Sequence, residues 1–145
     1  MDDYRDAIAS CCRQLRLSAN LADNAFAIEG ETHQEYLYNL LSKEIKCRKA
    51  ARIGKLINSA GFPVQHNFAA FHPDEVQFPS GVTPESLKAL EFFHAGNNLV
   101  MYGSTGTGKT MLSICIGMEA CRSGIPVKFF RTASLINQLS EAQER

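Results

Sequence analysis

A glycine-rich segment at residues 103–110 constrains the fold of this chain more than any other feature of its sequence. It reads Gly-x-x-x-x-Gly-Lys-Thr, follows the apolar run 99–102, and precedes a helical pattern that ends at Gly124. This order of buried strand, glycine loop and helix is typical of a phosphate-binding loop beside a parallel sheet. The segment consists of Gly103, Ser104, Thr105, Gly106, Thr107, Gly108, Lys109 and Thr110.

The residue types of this loop predict binding of Mg-ATP. Glycines let the backbone pass close to phosphate oxygens, to which free N–H groups can then donate. We expect Lys109 to contact the β- and γ-phosphates and the Thr110 hydroxyl to coordinate Mg²⁺. The competing interpretation is a glycine-rich turn that merely precedes a lysine, and the strand and helix on either side make it the weaker one.

No catalytic residue is predicted. Hydrolysis of ATP needs an acid at the end of a later strand, to hold Mg²⁺ and orient water. After Thr110 the acids are Glu119, Glu141 and Glu144, and all three occupy predicted helical positions. The sequence therefore predicts nucleotide binding and leaves hydrolysis open.

Upstream of the loop, the sequence predicts a helical region. Apolar residues at steps of three and four predict a helix over residues 2–16, and a shorter helix is expected to begin at Ser18, with its hydroxyl as the N-cap. Thr32 and Glu35 have the spacing of a capping box and open a long helix, which Gly61 ends.

The proline-containing stretch 62–82 has no sustained period and is predicted to be a linker. Thr83 then begins a helix expected to run to Gly96, residues 125–131 alternate as a second strand, and Thr132 caps a last helix. The predicted fold class is α/β, an incomplete P-loop NTPase core of strand, loop, helix, strand and helix behind a helical N-terminal region. The predicted domains are 1–61 for interaction with partners or DNA, 62–82 as linker, and 83–145 as the first part of the nucleotide-binding domain.

Charge is distributed unevenly, although the formal net charge is zero. The first 35 residues hold seven acids and three arginines, whereas residues 43–55 hold six bases and one acid. Five of these bases recur every third residue, so they wind around a helix instead of lining one face. Two roles stay open for them, contact with DNA phosphates or a solvated surface that balances the acidic N-terminus. They are Lys43, Lys46, Lys49, Arg52 and Lys55.

Composition favours a cytoplasmic protein without a membrane partner. No run approaches the roughly 18 apolar residues of a membrane span, and the acidic start of the chain is unlike a signal peptide. The five cysteines, an odd number, fit no metal-binding spacing and are expected to be reduced and mostly buried. The four histidines lie in different segments, so no metal other than Mg²⁺ is expected.

An ordered series of segments resembles the IstB-like transposition helpers and the related DnaC helicase loaders, which are AAA+ ATPases. The resemblance implies an AAA+ core that assembles on DNA in an ATP-dependent way, with a transposase or a replicative helicase as partner and a homo-oligomer at full length. Phe68 and Phe71 match a family segment and are expected to pack in the core. The segments are 36–44, 48–55, 68–71, 98–103, the loop itself and 120–129.

The resemblance also implies a C-terminally truncated chain, because family members continue into a Walker B strand, a sensor residue and an arginine finger. In the AAA+ strand order 5-1-4-3-2 the first two strands are not neighbours, so we expect both to lack partners, with weak stability and self-association. Two functions stay open: an ATP-binding subunit, or a non-catalytic interaction module with a vestigial nucleotide site. A small-molecule P-loop kinase fits less well, since residues 1–82 have no evident place in it.

Overall fold

The computed structural model describes residues 2–72 and 76–143, which form helices joined by loops. The chain divides into two compact units, Met1–Arg52 and Ile53–Arg145. Residues 73–75 of the predicted linker and 144–145 of the predicted nucleotide-binding part lie outside the described residues, and the predicted domain bounds stay a prediction. The helices are α1 (Asp2–Gln14), α2 (Leu21–Ala27), α3 (His33–Ala60), α4 (Pro84–Lys88), α5 (Glu91–His94), α6 (Lys109–Arg122) and α7 (Thr132–Gln143), with a 3-10 turn at Phe68–Ala70.

The predicted capping box at the start of α3 forms in a shifted version, in which the Glu35 carboxylate bonds Glu31 instead of the N-cap Thr32. The Thr32 hydroxyl accepts a hydrogen bond from the Glu35 N–H at 3.1 Å, and the Glu35 carboxylate accepts one from the Glu31 N–H at 3.0 Å. The next residue, Tyr36, donates its hydroxyl to the Ala25 carbonyl at 2.7 Å. These bonds fix the entry into α3 against the end of α2, because they satisfy N–H groups that a helix start leaves free.

Ser18 does not cap α2, contrary to the prediction, and instead binds a buried carboxylate on α3. Its N–H donates to Glu44 Oε1 at 2.8 Å and its hydroxyl donates to the other carboxylate oxygen. Arg48 Nε donates to Glu44 at 2.7 Å, and its guanidinium also reaches the Arg16 carbonyl. Burial alone raises the pKa of Glu44, but the bonds from Ser18 and then Arg48 outweigh it and hold that pKa below its ordinary value.

Helix α6 forms the centre of the second unit. Eight of its residues are buried, and Cys115 and Cys121 are fully inaccessible. Burial raises the pKa of both thiols. The residues of the core cluster are Phe71, Leu87, Leu90, Leu112, Cys115, Ile116 and Ala120.

The helix predicted from Thr83 to Gly96 is two short helices. Its start is confirmed, because the Thr83 hydroxyl accepts from the Ser86 N–H at 3.1 Å and the Ser86 hydroxyl accepts in return from the Thr83 N–H at 2.9 Å. The break lies at Leu90, which has a positive φ of 58°. Leu90 is buried in the core cluster, so packing holds a backbone conformation that leucine otherwise avoids.

Neither predicted strand forms a β-ladder within the described residues, so the α/β core is not confirmed. Burial still alternates along both segments: Leu99 and Met101 are half-buried between exposed neighbours, and residues 125–131 follow the same period of two up to Phe129. A ladder needs a second strand alongside, and the two segments were not expected to be neighbours. Phe129 instead donates its N–H to the Ala60 carbonyl at the end of α3, at 2.8 Å.

Helix α7 begins at Thr132, one residue earlier than predicted from Thr132 as its cap, and is exposed along its whole described length. Its apolar residues Ile136 and Leu139 are 56% and 59% exposed. Among the helices that the structure describes, none combines the length and the apolar character needed to cross a membrane.

Candidate nucleotide site

The predicted phosphate loop runs directly into α6. Gly103, Gly106 and Gly108 have φ values of 138°, 85° and 78°, in the region that side chains with a Cβ avoid. Gly108 is the N-cap of α6, and its carbonyl accepts a hydrogen bond from the Leu112 N–H at 2.9 Å. The glycines therefore let the chain turn sharply from residues 99–102 into the buried helix.

Lys109, the first residue of α6, folds its side chain back over the loop. Its ammonium donates to the Gly103 carbonyl at 3.0 Å and to the Ser104 carbonyl at 2.6 Å. It also lies 3.3 Å from the Thr107 hydroxyl, which itself donates to the Ser104 carbonyl at 2.9 Å. The loop thus encloses a cation that is half-buried and bonded to neutral oxygens.

The loop also presents a run of free backbone donors. Within the described part of the chain, the N–H groups of residues 104–111 find no protein acceptor. The first turn of α6 contains no acid, and the N-cap contributes no side-chain acceptor, so the positive end of the helix dipole is not compensated there. Free amides, a helix start and an ammonium together suit a phosphate group.

The remaining loop residues are open to solvent. Ser104, Thr105 and Thr110 are exposed, and the carbonyl of Thr110 accepts from the Ser113 hydroxyl at 2.8 Å. The Thr110 hydroxyl makes no hydrogen bond to the described residues. A free hydroxyl on the first turn of the helix is one oxygen ligand that Mg²⁺ could share with phosphate oxygens and water.

Phe71 supports the loop from the core side. A Cβ placed on Gly108 would lie 3.8 Å from the Phe71 ring, which is ordinary contact distance. Phe71 is buried and meets Phe68 edge-on, with 6.4 Å between ring centroids. The structure thus gives Phe71 the expected packing role.

On another side of the loop, Thr107 and Lys109 line a pocket of about 590 Å³ with apolar residues from 76–82 and 99–102.

The five predicted DNA-contacting bases all lie on α3 and are exposed. Their spacing of three residues winds them around the helix, as predicted, so they do not share one face. Lys43 and Lys46 line an open pocket of about 730 Å³ that also includes Tyr38 and Asn39. The set is Lys43, Lys46, Lys49, Arg52 and Lys55.

Sequence reasoning placed Thr107 in the phosphate loop without giving its hydroxyl a contact of its own, and it missed the structural role of Glu44. The Thr107 hydroxyl contacts both the loop backbone and Lys109. Glu44 is buried and accepts three hydrogen bonds. One signal for Glu44 was available, because it is the only acid among the bases of residues 43–55.

Comparison with known proteins identifies the family of this chain. The family described as IstB-like ATP binding protein matches residues 14–145. An ATP-binding protein of insertion sequence IS5376 from Geobacillus stearothermophilus is 30% identical over 97% of this chain and 58% of its own length. An insertion-sequence ATP-binding protein of Mycobacterium tuberculosis is 28% identical over 92% of the chain and 55% of its own length. The chain spans about half the length of the curated relatives it matches.

Proposed function

Because the chain belongs to the family of IstB-like ATP binding proteins, we propose that residues 103–110 bind Mg-ATP. The observation that carries the proposal is the run of unbonded N–H groups at residues 104–111 beside the Lys109 ammonium. Unpaired donors of this kind are costly unless water or an anion accepts from them. A triphosphate would supply both the acceptors and the negative charge.

Lys109 and Thr110 have distinct roles in this proposal. The Lys109 ammonium exchanges its bonds to the neutral Gly103 and Ser104 carbonyls for bonds to phosphate oxygens, which are stronger because both partners are then charged. The Thr110 hydroxyl holds Mg²⁺, which when bound neutralises phosphate charge. Hydrolysis is not part of the proposal for this chain. Glu119, the acid on α6, is paired with Arg122 at 2.6 Å.

The wider role that we propose is assistance to DNA transposition, through ATP-dependent assembly with a transposase. Its support is that the relatives are described as ATP-binding proteins of insertion sequences. Helicase loading, the other activity implied by the resemblance, has no such support. In this proposal the exposed bases of α3 contact DNA, and the longer protein forms a homo-oligomer.

Titration calorimetry with Mg-ATP tests nucleotide binding. We expect micromolar affinity for the wild-type chain and loss of at least about tenfold in Lys109→Ala, since one or two charge-assisted bonds are removed. Lys88→Ala is the matched control, because Lys88 is exposed on α4 and its side chain makes no hydrogen bond in the described chain. This variant should leave the affinity unchanged. Absence of ATP binding by the wild type would refute the proposal and favour the non-catalytic interaction module. Guanine nucleotide as competitor would report base preference.

A further inference from the structure

Helix α3 carries an apolar stripe that no described residue covers. Leu37, Leu41 and Ile45 are spaced four residues apart, so they follow one another along one face for about 12 Å. Their exposed fractions are 54%, 46% and 67%. Single exposed leucines are ordinary on protein surfaces, but three in one row form a ridge of the kind that packs against another helix.

The two ends of this stripe carry opposite charge. At the N-terminal end, Glu29, Glu31 and Glu35 are exposed, and no Lys or Arg lies among residues 29–36. At the other end, residues 46–52 contain four bases and no acid. These bases are Lys46, Arg48, Lys49 and Arg52.

This asymmetry selects the partner and its direction. A second α3 lying parallel would place acids on acids and bases on bases, which is unfavourable. A second α3 lying antiparallel and centred on Leu41 places Glu31 of one copy near Arg52 of the other, and Leu37 opposite Ile45. The helix dipoles are then also antiparallel, which is the favourable arrangement. The surface is self-complementary, as a two-fold interface requires.

We propose that the stripe Leu37, Leu41 and Ile45 is a self-association surface, on which α3 of a second copy lies antiparallel. Three apolar side chains from each copy make a small interface, so the dimer is weak and forms at high protein concentration or when other contacts hold two copies together. Formation of this pair requires no nucleotide, because the stripe belongs to the first compact unit and the phosphate loop to the second.

Site-specific cross-linking of the full chain tests the direction. The background carries Cys11→Ser and Cys47→Ser, which remove the two thiols that are not buried. In this background a single cysteine replaces Leu37, Leu41 or Ile45. Each variant is then treated with a short bis-maleimide, which links two thiols that lie close together. We expect Leu41→Cys to link to itself, and a mixture of Leu37→Cys and Ile45→Cys to give the mixed dimer in excess of either same-site dimer. Lys43→Cys, on the opposite face of α3, is the control. Dominant same-site dimers at positions 37 and 45, or yields equal to the control at every position, would overturn the proposal.

A charge exchange tests the proposed ion pair. Glu31 and Arg52 are exposed and their side chains make no hydrogen bond within the described chain, so their replacement should leave the fold intact, which circular dichroism can verify. In sedimentation velocity, Glu31→Lys and Arg52→Glu should each weaken self-association by about twofold to fivefold, and the double variant should restore it. A double variant as weak as the singles contradicts antiparallel pairing.

Discussion

Replacement of Glu44 by alanine should release the loop at residues 16–18 from α3. The carboxylate is 4% exposed and accepts from the Ser18 N–H, the Ser18 hydroxyl and the Arg48 guanidinium. Alanine removes all three acceptor contacts and leaves the donors to find water. The loop that joins α1 to α2 would then lose its polar anchor on α3, while the α3 capping box would stay intact.

The size of the destabilisation caused by Glu44→Ala depends on how exposed the two donor residues, Ser18 and Arg48, are. A hydrogen bond to a charged group contributes about 1.5–3 kcal/mol, and the two bonds from half-buried Ser18 account for most of the loss. Arg48 is 49% exposed, so its ion pair is screened and contributes at most about 1 kcal/mol. After allowance for water reaching Ser18, we expect the free energy of local unfolding to fall by about 2–4 kcal/mol.

Amide hydrogen exchange read by mass spectrometry measures this loss directly. Peptides covering residues 4–28 should exchange roughly 30-fold to 1000-fold faster in Glu44→Ala, whereas peptides from α6 should be unaffected. Glu29→Ala is the control, because Glu29 is an exposed acid in the same unit whose carboxylate makes no hydrogen bond in the described chain. Equal exchange in Glu44→Ala and Glu29→Ala would refute the reasoning.

The depressed pKa of Glu44 also predicts a dependence of stability on pH. The folded pKa lies below the ordinary value of 4.5, so the carboxylate stabilises the fold fully above about pH 5.5. This contribution is lost as the pH falls through 4.5 and then through the lower folded pKa. The thermal midpoint of the wild type should therefore fall more steeply below about pH 5 than that of Glu44→Ala. Parallel curves for the two proteins would show that Glu44 titrates normally.

Three further predictions concern other parts of the chain. Gly117→Ala should destabilise the second unit by about 1–2 kcal/mol in urea unfolding, because the new Cβ would lie 2.7 Å from the Phe62 ring. This overpacking outweighs the gain in helix propensity. Unchanged stability would mean that the ring moves freely. Exposed Cys11 should react with a maleimide well before buried Cys115, whose pKa is raised, and equal rates in the native protein would contradict the packing of α6. Charge reversal on α3 should reduce DNA retention at low salt, and unchanged retention would leave the solvated-surface interpretation. The residues reversed are Lys46, Lys49 and Arg52.

The helices could be predicted where the signal is local. Thr32 and Thr83 each cap a helix through bonds to residues three positions away, so the sequence alone contains both partners. The same holds for the phosphate loop, in which three glycines supply the positive φ values. Ser18 shows the limit of such reasoning. Local sequence predicted its hydroxyl to be the N-cap of α2, but the hydroxyl donates instead to the Glu44 carboxylate, 26 residues away.

The break at Leu90 and the unpaired strand segments could not be predicted for a related reason. Nothing about a leucine indicates a φ of 58°, and that angle is held by burial among residues distant in sequence. Residues 99–102 were predicted to be a buried strand because all four are apolar, but their burial alternates, with Val100 and Tyr102 81% and 93% exposed, and they form no ladder within the described residues. Periodicity reports the conformation of one segment, whereas a strand is defined by its neighbour.

The phosphate loop keeps its form without a ladder beside it, because its conformation is set by local contacts and not by strand pairing. Its shape depends on glycine backbone angles, on the Gly108 carbonyl accepting from Leu112, and on the bonds of Lys109 and Thr107 within the loop. All of these contacts span six residues or fewer, and the helix that follows is anchored in the core through Leu112 and Cys115. Strand pairing is therefore not required for these internal contacts. Nucleotide affinity should accordingly follow the side chains of the loop, which is why Lys109→Ala, and not a change at residues 125–131, is the decisive variant.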